Sequence, residues 1–446
     1  MTERILSACT WELGPSRQLS TTEADWKYSL TKQDFWAGTP AGGDLKTGKN
    51  GQWAYKPATL GLSDPMYVTG HYETRTKDYI CYYGYSQFDD VSVNANLAQN
   101  DQYSVARMLT DNTGGGPLPT VFLELRARWT KGTGGAANSV ALQVTQGNTA
   151  TGKKLSSYYA VPTNWLYWAI RIKPSDHTGE FFIANGTPWT LASVGTFTMD
   201  TGTSYPEAPP IPCTLFKGGG KGSDAGLNVI DDDFIVSEMD AGDAPVNHIQ
   251  GILYQPDCNV ENAWTGDYRD VDDENDSTVT GTDSLEIVPT ATGDRETFRF
   301  KTEPSGTVMG VRLSFELAQM STTHTLSAFI LGAANRKEWT NPAKGFVSTA
   351  FASVFRCFAG RQLLQTPEPT PVAWTLAKFN DLRAGLQAIN SSDDCGEFYA
   401  IAIGTGLTRP TATGAGPGTC ATGETVPPAA VASMVIPRRI NTLLRM

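Results

Sequence analysis

The sequence is poor in the residues that most often carry chemistry. It holds only four histidines, His71, His177, His248 and His324, and no Gly-x-Ser-x-Gly motif accompanies them. A nucleophilic triad needs a positioned base, so this scarcity argues against one. The seven cysteines (Cys9, Cys81, Cys213, Cys258, Cys357, Cys395 and Cys420) are odd in number and share no Cys-x-x-Cys spacing. That pattern excludes a zinc cage and leads us to expect reduced thiols and cytosolic synthesis. Positive charge is also short, with 35 Lys and Arg against 46 Asp and Glu for a net −11. Nucleic-acid binding needs clustered cations to neutralise phosphates, so no nucleic-acid partner is expected. No apolar stretch approaches the roughly 18 residues of a transmembrane helix, and no membrane insertion is expected. The segment MTERILSACTWELG lacks a basic stretch followed by an apolar core, so no secretory leader is predicted there.

What remains is a β-rich composition. Hydrophobic residues make up 40% of the chain and charged residues 18%, as in a globular protein rather than a disordered one. In VFLELRARW (121–129), Val121, Leu123, Leu125, Ala127 and Trp129 alternate with polar positions and with Phe122, the period of a strand with a buried face. The same period recurs in NWLYWAIRIKP (164–174), VRLSFEL (311–317) and HTLSAFIL (324–331). Gly-rich segments such as TGGGP (113–117), KGTGGAANS (131–139) and GGGKGSDAG (218–226) punctuate these runs, the signature of antiparallel sandwiches. One segment, 372–389, places Leu376, Phe379, Leu382, Leu386 and Ile389 at helical spacing. Thr375 there suits an N-cap, and Trp374 a staple onto Phe379. The expected fold is mainly β, with two antiparallel jelly-roll-like sandwiches, the second carrying one short helix. The expected division is an N-terminal segment 1–14, a first sandwich 15–245, a second 246–403, and a Gly/Pro/Thr-rich tail 404–446 with an apolar, basic tip.

Candidate chemistry is thin. GGGKGS (218–223) lacks the Lys-Ser or Lys-Thr that opens a phosphate-loop helix, so it reads as a hairpin loop. The run DYRDVDDENDS (267–277) spaces Asp270, Asp272, Glu274 and Asp276 like the start of an EF-hand. Asn275 stands where that loop needs Gly, so these four acids remain weak cation candidates only. The triplet Asp231–Asp232–Asp233 is open to the same reading. EMDAGD (238–243) approximates the Glu-x-Asp-x-x-Glu of sandwich glycosidases, but ends in Asp243. Tyr82, Tyr83 and Tyr85, in CYYGYSQF, offer rings for stacking on a sugar or a protein, against the plainer reading of core filling. No cofactor and no catalytic residue is expected.

Two stretches resemble known families. GLNVIDDDFIVSEMD (226–240) resembles the closing strand of concanavalin-A-like or laminin-G-like jelly rolls, where a similar Ile-Asp-Asp strand follows a Gly-rich turn. Within 258–389, Trp264–Thr265, Val271 through Asp276, Gly293–Asp294, Phe298, Phe300, Trp374–Thr375, Phe379–Asn380, Leu382 and Gly385 fall in the order of a domain found in structural proteins of tailed-bacteriophage virions. That resemblance implies a non-enzymatic particle component in a tail tip, baseplate or appendage. It would be made in the host cytoplasm, assembled with other virion proteins, and present as a homo-oligomer. A carbohydrate- or host-receptor-binding module on the virion, and a capsid decoration protein, are the alternatives it leaves.

Overall fold

In a computed structural model of the chain, the alternating runs pair into antiparallel sheets. The structure describes residues 3–10, 36–37, 43–50, 53–57, 66–68, 76–89, 102–110, 120–132, 139–146, 153–200, 214–217, 228–266, 287–302, 305–317, 324–331, 338–339, 346–348, 357–363, 373–388, 395–408 and 410. In the first half the strands are β1 (Arg4–Cys9), β2 (Trp36–Ala37), β3 (Gly43–Thr47), β4 (Trp53–Pro57), β5 (Met66–Val68), β6 (Tyr79–Asp89), β7 (Gln102–Thr110), β8 (Thr120–Thr130), β9 (Ser139–Gln146), β10 (Lys153–Lys154), β11 (Tyr159–Val161), β12 (Leu166–Lys173), β13 (Thr178–Ala184), β14 (Ala192–Thr198), β15 (Thr214–Lys217) and β16 (Asn228–Met239). In the second half they are β17 (Ile249–Tyr254), β18 (Pro256–Asn262), β19 (Trp264–Thr265), β20 (Val288–Pro289), β21 (Arg295–Phe300), β22 (Thr307–Leu317), β23 (His324–Leu331), β24 (Glu338–Trp339), β25 (Phe346–Ser348), β26 (Cys357–Leu363), β27 (Arg383–Ala388) and β28 (Cys395–Thr405). A helix α1 (Leu376–Asn380) precedes β27.

The first half forms one sandwich. One sheet runs β14-β13-β12-β6-β16-β4-β3, with β1 added against β16; the other runs β10-β9-β8-β7-β15-β5-β2, with β11 on β9. The inward residues of alternating strands meet between them: Tyr82 and Phe88 from β6, Trp168, Ile170 and Ile172 from β12, Leu123, Leu125 and Trp129 from β8, and Leu142 and Val144 from β9. Residues 4–9, expected to precede this sandwich, are its strand β1.

The second half repeats the plan. A sheet β17-β28-β22-β26 faces a sheet β18-β21-β27-β23-β24, with β25 on β23. Val311, Leu313, Phe398 and Ala400 from one sheet and Phe298, Phe300, Ala384 and Leu386 from the other share a core. Trp374 and Phe379 belong to that core, and the Phe379 ring meets Tyr254 edge-on at 4.8 Å between centroids.

Two expectations need correcting. The helix begins as read, with Thr375 accepting a hydrogen bond from the Lys378 N–H at 3.2 Å, but it ends at Asn380 and residues 383–388 form β27. Leu382, Ala384, Leu386 and Ala388 are all buried, at a spacing of two. The register of β27 between β21 and β23 settles which period governs. Nor are the cysteines uniformly reduced: Cys258, buried on β18, is disulfide-bonded, while Cys81 is a free, buried thiol.

Candidate functional site

A set of buried polar groups lies where the two sandwiches meet. Because β6, β12 and β16 are covered on both faces, many of their outward residues are also apolar or aromatic. Cys81, Tyr83, Tyr85, Tyr167, Ala169, Ile235 and Met239 pack with Val246 of the connecting segment and with Ile249 and Ile403 of the second sandwich. The three tyrosines form a stack there. The Tyr85 and Tyr167 rings lie 4.5 Å apart at 24°, and Tyr83 and Tyr167 lie 6.0 Å apart at 9°.

Their hydroxyls hold the segment that crosses between the sandwiches. Tyr167 donates to the Val246 carbonyl at 2.9 Å and accepts from the Ile249 N–H at 3.4 Å. Tyr83 accepts from the Val246 N–H at 3.1 Å and donates to the Glu3 carboxyl, which also accepts from the Ser237 hydroxyl. The Arg171 guanidinium donates to the Asp243 carbonyl at 2.7 Å while pairing with Glu180 at 2.6 Å. On the far side, the Leu191 N–H donates to Asn247 at 2.8 Å.

A second polar cluster follows from a bulge in β16. In the pairing with β6, Asp232 opposes Tyr85 and Ile235 opposes Tyr83, so Asp233 and Phe234 together face Gly84. Asp233 takes a left-handed conformation (φ 47°) at this insertion. The insertion returns Phe234 and Val236 to the sandwich core and leaves Asp233 at the joint. A Cβ at position 84 would lie 2.4 Å from the Trp168 ring and 2.9 Å from that of Phe234, so only glycine fits under them.

Asp233 then bridges the sandwiches. Its Oδ1 accepts from the Gly251 N–H on β17 at 3.1 Å, and its Oδ2 from the Asn50 side chain at 2.8 Å. Asn50 reaches on to the His248 ring at 3.1 Å. Asp232 accepts from the backbone N–H groups of Lys49 at 2.7 Å and Asn50 at 3.3 Å. Asp231 points the other way, accepting from Ser86 at 2.8 Å, and Ser86 in turn accepts from the Trp168 indole at 3.1 Å. Lys49 sits over the Trp189 ring, 4.8 Å from its centre.

Burial governs the electrostatics. It pushes the Glu3 carboxyl up to about 7, against the pull of the Ser237 and Tyr83 hydroxyls. It does the same for Asp232, also to about 7, against the N–H groups of Lys49 and Asn50. His248 is held below the usual imidazole range by burial and by the Lys49 charge. Burial raises Tyr83, Tyr85 and Tyr167 well above the phenol range, so all three stay protonated.

No protein-family model matches the chain, and no curated protein matches it either. Solved structures are similar to parts of the chain only remotely. The catalytic domain of a GH131 β-glucanase from Podospora anserina is 12% identical, with 55% of this chain and 98% of that chain covered at a TM-score of 0.32. The exoplasmic/lumenal domain of VIP36 in its Ca2+/Man-bound form is 9% identical, with 52% and 95% covered at a TM-score of 0.31. A GH54 α-L-arabinofuranosidase soaked with a cyclic sulfate inhibitor is 11% identical, with 59% and 65% covered at a TM-score of 0.24. Likeness this remote carries no argument about activity or ligand.

The sequence-predicted residues fall as follows. Tyr82, Tyr83 and Tyr85 are fully buried, Tyr82 inside the first sandwich and the other two in the joint. A stacking platform needs an open ring face, so these three are not one. Asp270, Asp272, Glu274 and Asp276 lie outside the described residues. Asp231, Asp232 and Asp233 are buried and hydrogen-bonded to protein donors, and no group of three metal-ligating side chains occurs among the described residues. Of the glycosidase-like acids, Glu238 is buried and pairs with Arg4 at 2.5 Å. Burial pushes its carboxyl up, but the N–H groups of Lys77 and Thr76, the Thr76 hydroxyl and Arg4 bring it below the usual range. Asp240 is exposed and pairs with Lys77 at 2.9 Å. Glu3 and Asn50 were not singled out, and His248 was read only as a histidine without a triad. The one signal for the joint was the Asp triplet in a strand, where solvated acids have no place.

Proposed function

We propose that this chain is a non-enzymatic structural subunit of a larger assembly, of the tailed-phage particle type that its second half resembles. Its two sandwiches act as one stiff body. The observation that carries this reading is the joint: Tyr167 accepts from the Ile249 N–H, Asp233 accepts from the Gly251 N–H, and Ile249 and Ile403 pack with Tyr83 and Tyr167, where a free linker would leave the halves to swing. Domains joined only by linkers move relative to each other unless the interface is large and apolar. Particle components that transmit load or set spacing need the opposite.

The acids described above support the same reading. Each of Asp231, Asp232, Asp233 and Glu238 accepts hydrogen bonds from fixed protein groups, as structural anions do. Native mass spectrometry of the purified chain, together with proteomics of virions from the source phage, tests the proposal. Self-association and presence in the particle are expected. A chain that stays monomeric at every concentration and is absent from virions overturns it. A glycan array separates the binding-module alternative, because saturable binding to one glycan class would make recognition the main role.

A further inference from the structure

We infer that β14 is the edge through which two copies of this chain join, antiparallel, so that one sheet of the first sandwich runs on into the same sheet of a second copy. The strand ends the sheet β14-β13-β12-β6-β16-β4-β3, and among the described residues nothing pairs with its outer side. Ala192, Ser193, Thr196 and Thr198 are exposed, so the edge is open to solvent. The ladder shows which backbone groups are free. The Met199 N–H donates to the His177 carbonyl at 2.7 Å, and beyond it Thr178 opposes Thr198, Gly179 opposes Phe197 and Glu180 opposes Thr196. Residues 177 and 199 are therefore a hydrogen-bonded pair, and by alternation so are Gly179 with Phe197 and Phe181 with Gly195. Thr196 and Thr198 lie in the intervening pairs and turn both N–H and C=O away from β13. Such unmet groups are a template for another strand.

The other long edges are guarded. β3 carries Asp44 and Lys46, β1 carries Arg4, β18 carries Pro256, Asp257 and Glu261, and β26 carries Arg361. β17 has no charge but is buried, with its Gly251 N–H given to Asp233. β14, ASVGTFT, has neither charge nor proline. In a chain of net charge −11, two like copies repel least across a neutral edge. The sequence also suits pairing with itself. Thr196-Phe197-Thr198 reads the same in both directions, so a two-fold axis at Phe197 sets Thr196 opposite Thr198 of the partner subunit, and the reverse. Each of these pairs exchanges both backbone hydrogen bonds, and threonine beside threonine is a favourable cross-strand pair. Phe197 stays in the core of its own sandwich. Val194 is an extra residue between the Phe181–Gly195 and Phe182–Ser193 pairs, and the bend it makes limits the contact to this stretch.

Sedimentation velocity over a range of concentrations, with hydrogen exchange of the full chain at both ends of the range, tests this. A concentration-dependent dimer is expected, in which the Thr196 and Thr198 amides gain roughly tenfold protection or more while the Phe197 amide, directed at β13, does not change. Thr196→Lys combined with Thr198→Lys sets like charges opposite each other and is expected to be monomeric where the parent is dimeric, as is Thr196→Glu combined with Thr198→Glu. Both positions are exposed, so an unchanged Tm is expected in each variant. Mixing the two variants sets Lys against Glu in both pairs and is expected to restore the dimer. A dimer that survives in the lysine variant, or Thr196 and Thr198 amides that exchange equally fast at every concentration, overturns the inference. So does a chain that stays monomeric in solution yet is present in virions, an outcome that gives the edge to a different protein and leaves the particle reading standing.

Discussion

At the scale of single residues, the joint is decided by close approach. Gly251 brings β17 against the first sandwich: a Cβ there would lie 2.2 Å from Thr10 Cγ2 and 3.1 Å from Asp233 Oδ1. Thr10 is buried, so it has nowhere to move. Gly251→Ala is expected to cost about 1–3 kcal/mol, the usual range for overpacking. Thr10→Ala in the same chain should recover part of that loss by removing the nearer methyl. A double-mutant cycle read by urea denaturation checks it, and additive losses would show that the two residues do not touch. None of this contact was legible in the sequence. Asp232 meets its Lys49 and Asn50 donors across 183 and 182 positions, and no local pattern encodes a partner at that distance. The tyrosine reading failed for a related reason. Tyr83 and Tyr85 occupy the outward face of β6, which in a lone sandwich would meet water, but here the second sandwich covers it.

Among elements, the stretch 382–389 shows how two periods can coexist in one sequence. Leu382 and Leu386 satisfy a helical step of four, and with Ala384 and Ala388 they also satisfy a strand step of two. The arbiter is Gly385. In β27 its backbone lies so close to β21 that a Cβ would fall 1.9 Å from the Glu296 carbonyl oxygen and 2.8 Å from the Thr297 Cα. A glycine inside a strand marks such an approach, whereas inside a helix it is only a weak point. The two readings predict opposite signs for one substitution. If 383–388 were helical, Gly385→Ala would stabilise by about 1 kcal/mol. In β27 it must displace backbone rather than a side-chain tip, and a loss of about 1–3 kcal/mol or more is expected. Thermal denaturation of that single variant distinguishes them. By contrast β8, β12 and β22 were legible outright, because their apolar residues alternate without a competing helical fit. The Thr375 cap was legible for the same reason: the capping signal is local, and so is the structure it makes.

For the whole molecule, the shared joint is expected to couple the two halves, and the stability of the fold is expected to depend on pH. Glu3 and Asp232 bind protons more tightly folded than unfolded, with values near 7 against ordinary values of 4.5 and 3.8. The stability they contribute is therefore complete below those ordinary values and is lost as pH rises to about 7. For Glu3 alone the shift corresponds to roughly 3 kcal/mol. Glu238 works in the other direction, since its lowered value stabilises the fold above the ordinary range and is lost as the solution becomes more acid. Opposed in this way, the groups place the stability maximum at mildly acid pH rather than at neutrality, and the net charge of −11 adds repulsion of the same sign above it. Because Ile249 and Ile403 of the second sandwich pack in one cluster with Tyr83 and Tyr167 of the first, unfolding either half exposes that shared core. Calorimetry of the full chain is expected to show one transition at about pH 5, with Tm falling by several degrees towards pH 7.5. Glu3→Gln should remove only the Glu3 share of that fall, leaving the Asp232 share and the decline at lower pH in place. Two resolved transitions at pH 5 would mean that the sandwiches are independent and that the joint is a contact without consequence for stability.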